Sequence, residues 1–307
     1  LVVITAMVLL GTLAPLMVDF LNMVFPSLGI GKLSVGFPWF NFMFVIFAVP
    51  LVALIGLGAS TRWKHDSVRR LAGYLASPLI LSIAGGWALA TYALPEFMWQ
   101  AMLGLILALW VTLATLRGIW DRARTARGIA GIPRGYWGMS LGHLGVAVFT
   151  VGVTITTLYD VERDIKLAPG ESFETNGYRF EFRGAIPVTG PNYQAMRGDV
   201  VVFKGDREVT ELWPEKRIYN VQRQPMTEAG IDAGFTRDLF IALGDAVGQD
   251  GAWTLRIYHK PFIRWIWLGT LIMGFGGVLA VTDKRYLRMA RRKKVPAAAV
   301  ASRGATA

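Results

Sequence analysis

Six stretches of about twenty mostly apolar residues run through the 307-residue chain, and they constrain its fold more than any other feature. A helix needs about 20 apolar residues to cross the hydrocarbon core of a bilayer. The composition agrees, since only 17% of the residues are charged, against roughly 25% in soluble domains. We therefore predict a polytopic α-helical membrane protein with about six transmembrane helices, at residues 2–22, 39–58, 75–94, 97–116, 136–158 and 262–282.

Positive charge is concentrated in three segments between and after these stretches, at residues 61–70, 117–134 and 283–307. They hold 17 of the 32 Lys and Arg residues but only three of the 21 Asp and Glu residues. Threading six helices places all three segments on one side, which is the pattern of the positive-inside rule. We therefore interpret the net charge of +11 as a topology signal. We expect cytoplasmic basic loops, a cytoplasmic C-terminus and no nucleic-acid partner.

The opposite side receives one domain-sized segment, whose patterns indicate antiparallel β structure. Residues 178–183 alternate apolar and charged side chains, and Asn176–Gly177 before them is a strong signal for a type I′ hairpin turn. Residues 199–212 have the pattern of two strands joined by a turn, so we expect a small barrel or a sandwich. The predicted domains are transmembrane helices one to five in 1–158, the inserted β domain in 159–261, helix six in 262–282, and a basic tail with a disordered end in 283–307.

A histidine lies inside the fifth apolar stretch, in the segment GHLGVAVFTVGVT at 142–154. His143 follows Tyr136, at the aromatic belt, by seven residues, which is a depth of about 10 Å at 1.5 Å per residue. An unpaired polar group at such a depth costs several kcal/mol, so ionisable residues there are uncommon and usually functional. Two interpretations remain open: a neutral histidine hydrogen-bonded to a neighbouring helix, and an axial ligand of a haem iron.

Small residues beside this histidine favour the second interpretation. Gly138, Gly142, Gly145 and Gly152 form a stripe on which another helix or a flat group can come close. A haem needs such a wall next to its axial imidazole. No Asp or Glu lies deep in the six stretches, which disfavours a proton relay, and the sequence has no cysteine for a thiolate metal site. The candidate site is therefore His143 as iron ligand, with Gly142 and Gly145 allowing close approach.

The other two histidines have ordinary explanations. His65 lies in a basic segment, where a solvated surface residue is the default expectation. His259 lies where the β domain returns to the membrane, beside Lys260, Arg264 and Trp265, a combination typical of an interfacial anchor. Neither histidine is assigned a haem-ligand role.

Several further residues of the β domain allow two interpretations each. The segments GPNY (190–193) and PMTEA (225–229) contain turn-forming Gly and Pro, so we expect structural loops, with contact to a protein partner as the alternative. Arg217 and Arg237 are expected to be solvated strand ends or to pair with haem propionates.

Taken together and in order, eight motifs resemble the C-terminal half of the CcmF-type cytochrome c maturation haem lyases of bacteria. A related family that serves nitrite-reductase maturation is the second choice. The resemblance runs from about residue 1 to residue 290 and is carried by GTLAPL (11–16), SVGFPWFN (34–41), GHLGVAV (142–148), GPNY (190–193), PEKRIY (214–219), PMTEAGI (225–231), RDLFIALG (237–244) and KPFIRWIWLG (260–269).

This resemblance implies a function that the residues alone do not. It implies a bacterial inner-membrane protein with a periplasmic β domain, which takes part in joining haem to the CxxCH thiols of apocytochrome c. The implied partners are the haem chaperone CcmE, a CcmH-type apocytochrome-handling protein and, as electron source, quinol. By position and motif, His143 is implied to be an axial ligand of a haem b held within the membrane.

The family's tryptophan-rich segment, its two outward-facing haem histidines and the second membrane haem ligand belong to the N-terminal half. None of them is matched within these 307 residues, so the N-terminal half is an expected partner and the chain alone is not expected to be a complete lyase. Two other classes remain as alternatives. One is a cofactor-free docking or scaffold subunit of the maturation complex, and the other is a secondary transporter, which lacks support from deep acidic residues.

Overall fold

The computed structural model describes residues 2–61, 66–126, 128–221, 223–248 and 250–283. His65 and the basic tail beyond Asp283 lie outside the described residues, so the expectations placed on them stay as they are. Two compact units make up the chain, one formed by Leu1–Ala147 with Ile272–Ala307 and the other by Val148–Leu271.

The prediction of six membrane-spanning helices is confirmed, because each helix found is long and apolar enough to cross a bilayer. The fourth helix is longer than predicted, since it continues past residue 116 into a basic last turn that contains Arg122 and Arg124. The helices are α1 (Val2–Val24), α2 (Phe37–Gly58), α3 (Val68–Tyr92), α4 (Trp99–Thr125), α5 (Arg134–Tyr159) and α6 (Ile263–Val281).

Glycines set the close contacts among the first four helices. Gly56 of α2 lies against the indole of Trp110 on α4, leaving no room for a Cβ atom. The same indole donates a hydrogen bond of 2.9 Å from its Nε1 to the Ala53 carbonyl. Gly86 of α3 packs directly on the α4 backbone at Ile106. This is the small-residue packing by which helices associate in lipid.

The β domain is a sandwich of two antiparallel sheets. The strands are β1 (Val161–Leu167), β2 (Ser172–Thr175), β3 (Tyr178–Thr189), β4 (Tyr193–Lys204), β5 (Arg207–Leu212), β6 (Glu215–Tyr219), β7 (Pro225–Glu228), β8 (Gly230–Ala233), β9 (Arg237–Val247) and β10 (Ala252–Pro261). One sheet has the order β1-β10-β9-β8 and the other β2-β3-β4-β6-β7, with β5 also paired to β4. Alternate residues of both sheets form one core, including Phe180, Phe182, Val200, Ile241, Leu243 and Leu255.

The predicted turn at Asn176–Gly177 is present between β2 and β3. Both residues have positive φ, 49° and 74°, as a type I′ turn requires, and Thr175 pairs with Tyr178 across it. The expectation of a loop at PMTEA was wrong, because residues 225–228 form β7. Pro225 is tolerated there because β7 is an edge strand and Pro225 begins it.

The sandwich is joined to its two helices by adjacent strands. Val161 at the start of β1 pairs with His259 near the end of β10. Two side-chain bonds close the same junction: the Thr156 hydroxyl donates to the Pro261 carbonyl at 2.7 Å, and Lys260 forms an ion pair with Asp160 at 2.8 Å. The chain therefore leaves α5 and enters α6 through one hydrogen-bonded pair of strands.

The residues assigned to an interfacial anchor also make bonds within this unit. The Trp265 indole donates to the Phe235 carbonyl, in the turn between β8 and β9, at 3.2 Å. The two rings are 5.6 Å apart. Arg264 donates to Asp238 at 2.9 Å. The first turn of α6 is thus fastened to the sandwich as well as being suited to a membrane interface.

Candidate functional site

His143 lies in the first half of α5 and is half-buried. Its Nδ1 atom is buried and has no hydrogen-bond partner among the described residues. One turn earlier, the Ser140 hydroxyl is in the same condition, in a residue only 1% exposed. Buried polar atoms are nearly always hydrogen-bonded in folded proteins, so these two atoms on one helix face form a polar pair that no other described residue satisfies.

The glycines of the predicted stripe have two kinds of surroundings in the structure. A Cβ atom on Gly138 would lie 2.5 Å from the Gly276 carbonyl oxygen of α6, and one on Gly152 would lie 2.7 Å from the Ile266 nitrogen. These two glycines therefore serve helix packing and do not form a wall for a flat group. Gly142 differs, because no atom lies within 4 Å of the position where its Cβ would be.

These observations fit an axial haem ligand. His143 offers an imidazole with an unsatisfied nitrogen, and the adjoining Gly142 leaves its side of the helix open. Gly145, the third predicted residue of the site, is buried. Within the described ranges, no three His, Cys, Asp or Glu residues are grouped so that they could hold a metal ion. A single imidazole would suit a haem iron, because the porphyrin itself supplies four of the ligands of that iron.

Arg217 is not a solvated strand end. It donates from Nε to Glu215 at 2.7 Å, lies 3.4 Å from Glu228, and has its guanidinium 4.5 Å from the centre of the Tyr193 ring. Glu215 is buried and also accepts from Arg197 at 2.6 Å. Burial raises the pKa of the Glu215 carboxyl, but the hydrogen bonds from Arg217 and Arg197 outweigh it and hold that pKa below its ordinary range.

Arg237 is engaged in a second cluster, at the end of the sandwich nearest the junction with the helices. It forms an ion pair with Asp232 and donates from Nε to the Tyr178 hydroxyl at 3.1 Å. The Tyr178 ring lies 6.0 Å from the His259 imidazole, whose Nδ1 is 3.1 Å from the Asn176 amide nitrogen. Both arginines that the sequence left open for haem propionates thus have carboxylate partners within the sandwich.

Acidification is expected to destabilise this end of the sandwich. Burial lowers the pKa of His259, and the nearby Arg237 charge lowers it further, although Asp160 raises it. The folded state therefore prefers neutral His259, so its contribution to stability is complete above about pH 6.5 and is lost as the pH falls below that value. Thermal unfolding of the full chain between pH 8 and pH 5 should show this loss. The variant His259→Gln should flatten the dependence, and parallel curves for the two proteins would contradict the assignment.

Two residues of these sites cannot be singled out from the sequence alone. Ser140 is one small hydroxyl among several in the fifth helix, and only its spacing of three residues from His143 marks it. Glu215 lies in the motif PEKRIY at 214–219, but its burial between two arginines depends on strand pairing with β4 and is not visible in the sequence.

The fold and the unsatisfied histidine define a class: a polytopic membrane protein that carries an antiparallel β-sandwich between its fifth and sixth spans. Residues 158–261 match the family model described as the CcmF C-terminal beta-sandwich. The cytochrome c-type biogenesis protein CcmF of Pseudomonas fluorescens is 46% identical over 289 residues, which is 93% of this chain and 42% of that protein. CcmF of Escherichia coli is 39% identical over 95% of this chain and 43% of its own length. The chain is a CcmF-type protein.

Other relatives and a solved structure agree with this placement. The cytochrome c-type biogenesis protein NrfE of Haemophilus influenzae is 31% identical over 90% of this chain and 42% of that protein. A solved structure of the cytochrome c heme lyase CcmF superposes with a TM-score of 0.69, covering 91% of this chain and 44% of that one. At 20% identity this last likeness shows the fold alone. The chain spans less than half the length of the relatives it matches.

Proposed function

We propose that the chain is the haem-b-bearing C-terminal part of a cytochrome c haem lyase. The observation that carries the proposal is the unpartnered Nδ1 atom of His143, buried in a membrane helix of a CcmF-type protein. A histidine that serves only packing is expected to be hydrogen-bonded to a neighbouring helix, and among the described residues no such bond is made to this atom. The cofactor-free docking subunit remains the competing function for this chain.

In this function His143 would hold a haem b through one ring nitrogen, and the open space beside Gly142 would leave room for it. When bound, that haem supplies a one-electron redox centre within the membrane, with quinol as the electron source. A second protein ligand would be supplied by the N-terminal half. The α5 backbone packs closely on α6 through Gly138 and Gly276, which positions the helix segment that carries His143.

The reaction served is thioether formation between substrate haem and apocytochrome c. The thiol of each CxxCH cysteine adds across a vinyl double bond: sulfur bonds to one carbon and the proton goes to the other, so the addition itself is redox-neutral. Ferrous substrate iron and reduced thiols are required beforehand. CcmE would deliver the haem, and a CcmH-type partner would present the apocytochrome, on the side of the membrane where the sandwich lies.

The proposed location is the bacterial inner membrane, with the sandwich in the periplasm and the basic segments in the cytoplasm. Support comes from the charge distribution, since the segments at 61–70 and 117–134 lie on the opposite side of the six spans from β1–β10 when the helices are threaded in order.

The test is a reduced-minus-oxidised absorption spectrum of the chain purified with an N-terminal half. A b-type band is expected in the wild type and is expected to be absent from His143→Ala, because the substitution removes an axial ligand. The matched control is His259→Ala, which removes a histidine from the sandwich and should keep the band. Wild-type preparations that make holocytochrome without any bound haem would favour the docking subunit.

A further inference from the structure

The Ser140 hydroxyl behaves differently from most hydroxyls in the membrane helices. Ser and Thr within helices commonly return their hydroxyl to the carbonyl four residues earlier. Thr112 does so with Ala108 at 2.8 Å, and Ser82 does so with Pro78. Ser140 is 1% exposed and has no partner of any kind among the described residues. Its hydroxyl is therefore available to a group that the helix backbone does not supply.

On the same helix, the His143 imidazole has the same deficit. Residues three apart in a helix are neighbours on one face, with Cβ atoms about 5–6 Å apart. Helical side chains lean back toward the N-terminus, so the ring of His143 is expected to extend over the turn that contains Ser140. Nδ1 of the ring and Oγ of the serine are both buried and both unsatisfied. A hydrogen bond between them would satisfy both atoms at once.

We propose that Ser140 is a positioning residue for the haem site, accepting a hydrogen bond from Nδ1–H of His143 when the other ring nitrogen binds iron. This inference rests on the proposed function. An axial histidine normally donates its second ring N–H to an acceptor, which fixes the ring orientation and raises the basicity of the ligating nitrogen. A more basic ligand stabilises ferric over ferrous iron, so Ser140 lowers the midpoint potential of the bound haem.

The experiment compares the wild type with Ser140→Ala and Ser140→Thr, each purified with the N-terminal half. The readouts are the midpoint potential, from a spectroelectrochemical titration, and the electron paramagnetic resonance spectrum of the ferric form. Removing a partner of this kind costs about 10-fold or more in metal affinity. A 10-fold loss of ferric relative to ferrous affinity in Ser140→Ala corresponds to a rise of about 59 mV. Ser140→Thr keeps the hydroxyl and should restore the wild-type potential.

A matched control is available on another helix. Thr115 of α4 also carries a buried hydroxyl without a partner among the described residues, and it is 4% exposed. Thr115→Val removes that hydroxyl at nearly constant volume. Its potential is expected to equal that of the wild type, because the proposal concerns the hydroxyl beside His143 only.

The possible outcomes distinguish a failure of the proposed function from a failure of the role proposed for Ser140. Wild-type protein without a b-type band would overturn the proposed function itself. A normal band in Ser140→Ala with an unchanged potential would overturn the role of Ser140 and leave the proposed function intact. Should Ser140→Ala fail to retain haem, retention by Ser140→Thr would support the hydroxyl as the required group. Failure of both variants would instead assign Ser140 to packing and overturn the inference.

Discussion

Replacing Gly276 by leucine is expected to disrupt the packing of α5 on α6 and to reduce sharply the yield of folded protein. A Cβ atom on Gly276 would lie 2.6 Å from the Gly138 carbonyl oxygen and 2.7 Å from the Gly142 nitrogen. Both are backbone atoms, so relief requires moving a whole helix and not a side chain. The expected cost is about 3 kcal/mol or more, at the upper end for overpacked sites. Thermal stability of the detergent-solubilised chain measures it.

The next residue gives the matched control for this substitution. Gly277 lies on the same helix, and no atom is within 4 Å of the position of its Cβ. Gly277→Leu adds the same side chain with the same change in helix propensity. It should unfold within a few degrees of the wild type. Equal losses of stability in the two variants would show that the α5–α6 contact does not depend on close backbone approach.

Replacing Glu215 by alanine is expected to destabilise the sandwich by about 2–3 kcal/mol. The Glu215 side chain is 6% exposed and is the common acceptor for Arg197 and Arg217. Removing one member of a buried ion pair typically costs about 3–5 kcal/mol, because the remaining charge is left without compensation. Arg197 is 39% exposed, so water screens part of its charge and reduces the cost. Hydrogen exchange of the full chain should become faster in β4 and β6.

An exposed ion pair of the same domain supplies the comparison. Lys216 pairs with Asp245, whose side chain is 86% exposed. Asp245→Ala should change stability by less than about 1 kcal/mol, as surface pairs usually do. If Glu215→Ala had an equally small effect, the buried carboxylate would not be what joins β4 to β6 at this position.

The positions of the six membrane-spanning helices followed directly from the sequence because the bilayer imposes a length on every span. The predicted fifth span, 136–158, differs from α5 by only one or two residues at each end. The predicted fourth span stopped at residue 116 because the apolar run of the sequence ends there. The helix itself continues to Thr125, and its last turn is basic and compatible with water. The Asn176–Gly177 turn could also be predicted from the sequence, because few pairs of neighbouring residues adopt positive φ at both positions.

Contacts between segments that are distant in the sequence could not be predicted in this way. PMTEA contains Pro and was expected to be a loop, yet register with β6 makes residues 225–228 a strand. The sequence around Arg217 and Arg237 does not indicate their carboxylate partners, because these pairs depend on how the strands and turns of the sandwich are arranged. Gly138 and Gly152 of the predicted glycine stripe allow α6 to come close, but the sequence does not say which of its glycines face that helix. Patterns of neighbouring residues in the sequence do not predict such long-range contacts.

The pairing of β1 with β10 affects how easily the sandwich could be gained, lost or exchanged in evolution. Because Val161 and His259 are directly paired, the sandwich begins and ends at neighbouring points. Domains whose ends lie together can be inserted into a host chain, exchanged or removed with little disturbance of the host. Without the sandwich, α5 and α6 would need only a short turn to remain an antiparallel helical hairpin. A relative could therefore carry another module here and retain the helices and the histidine of α5, once the contacts of Trp265 and Arg264 with the sandwich were replaced.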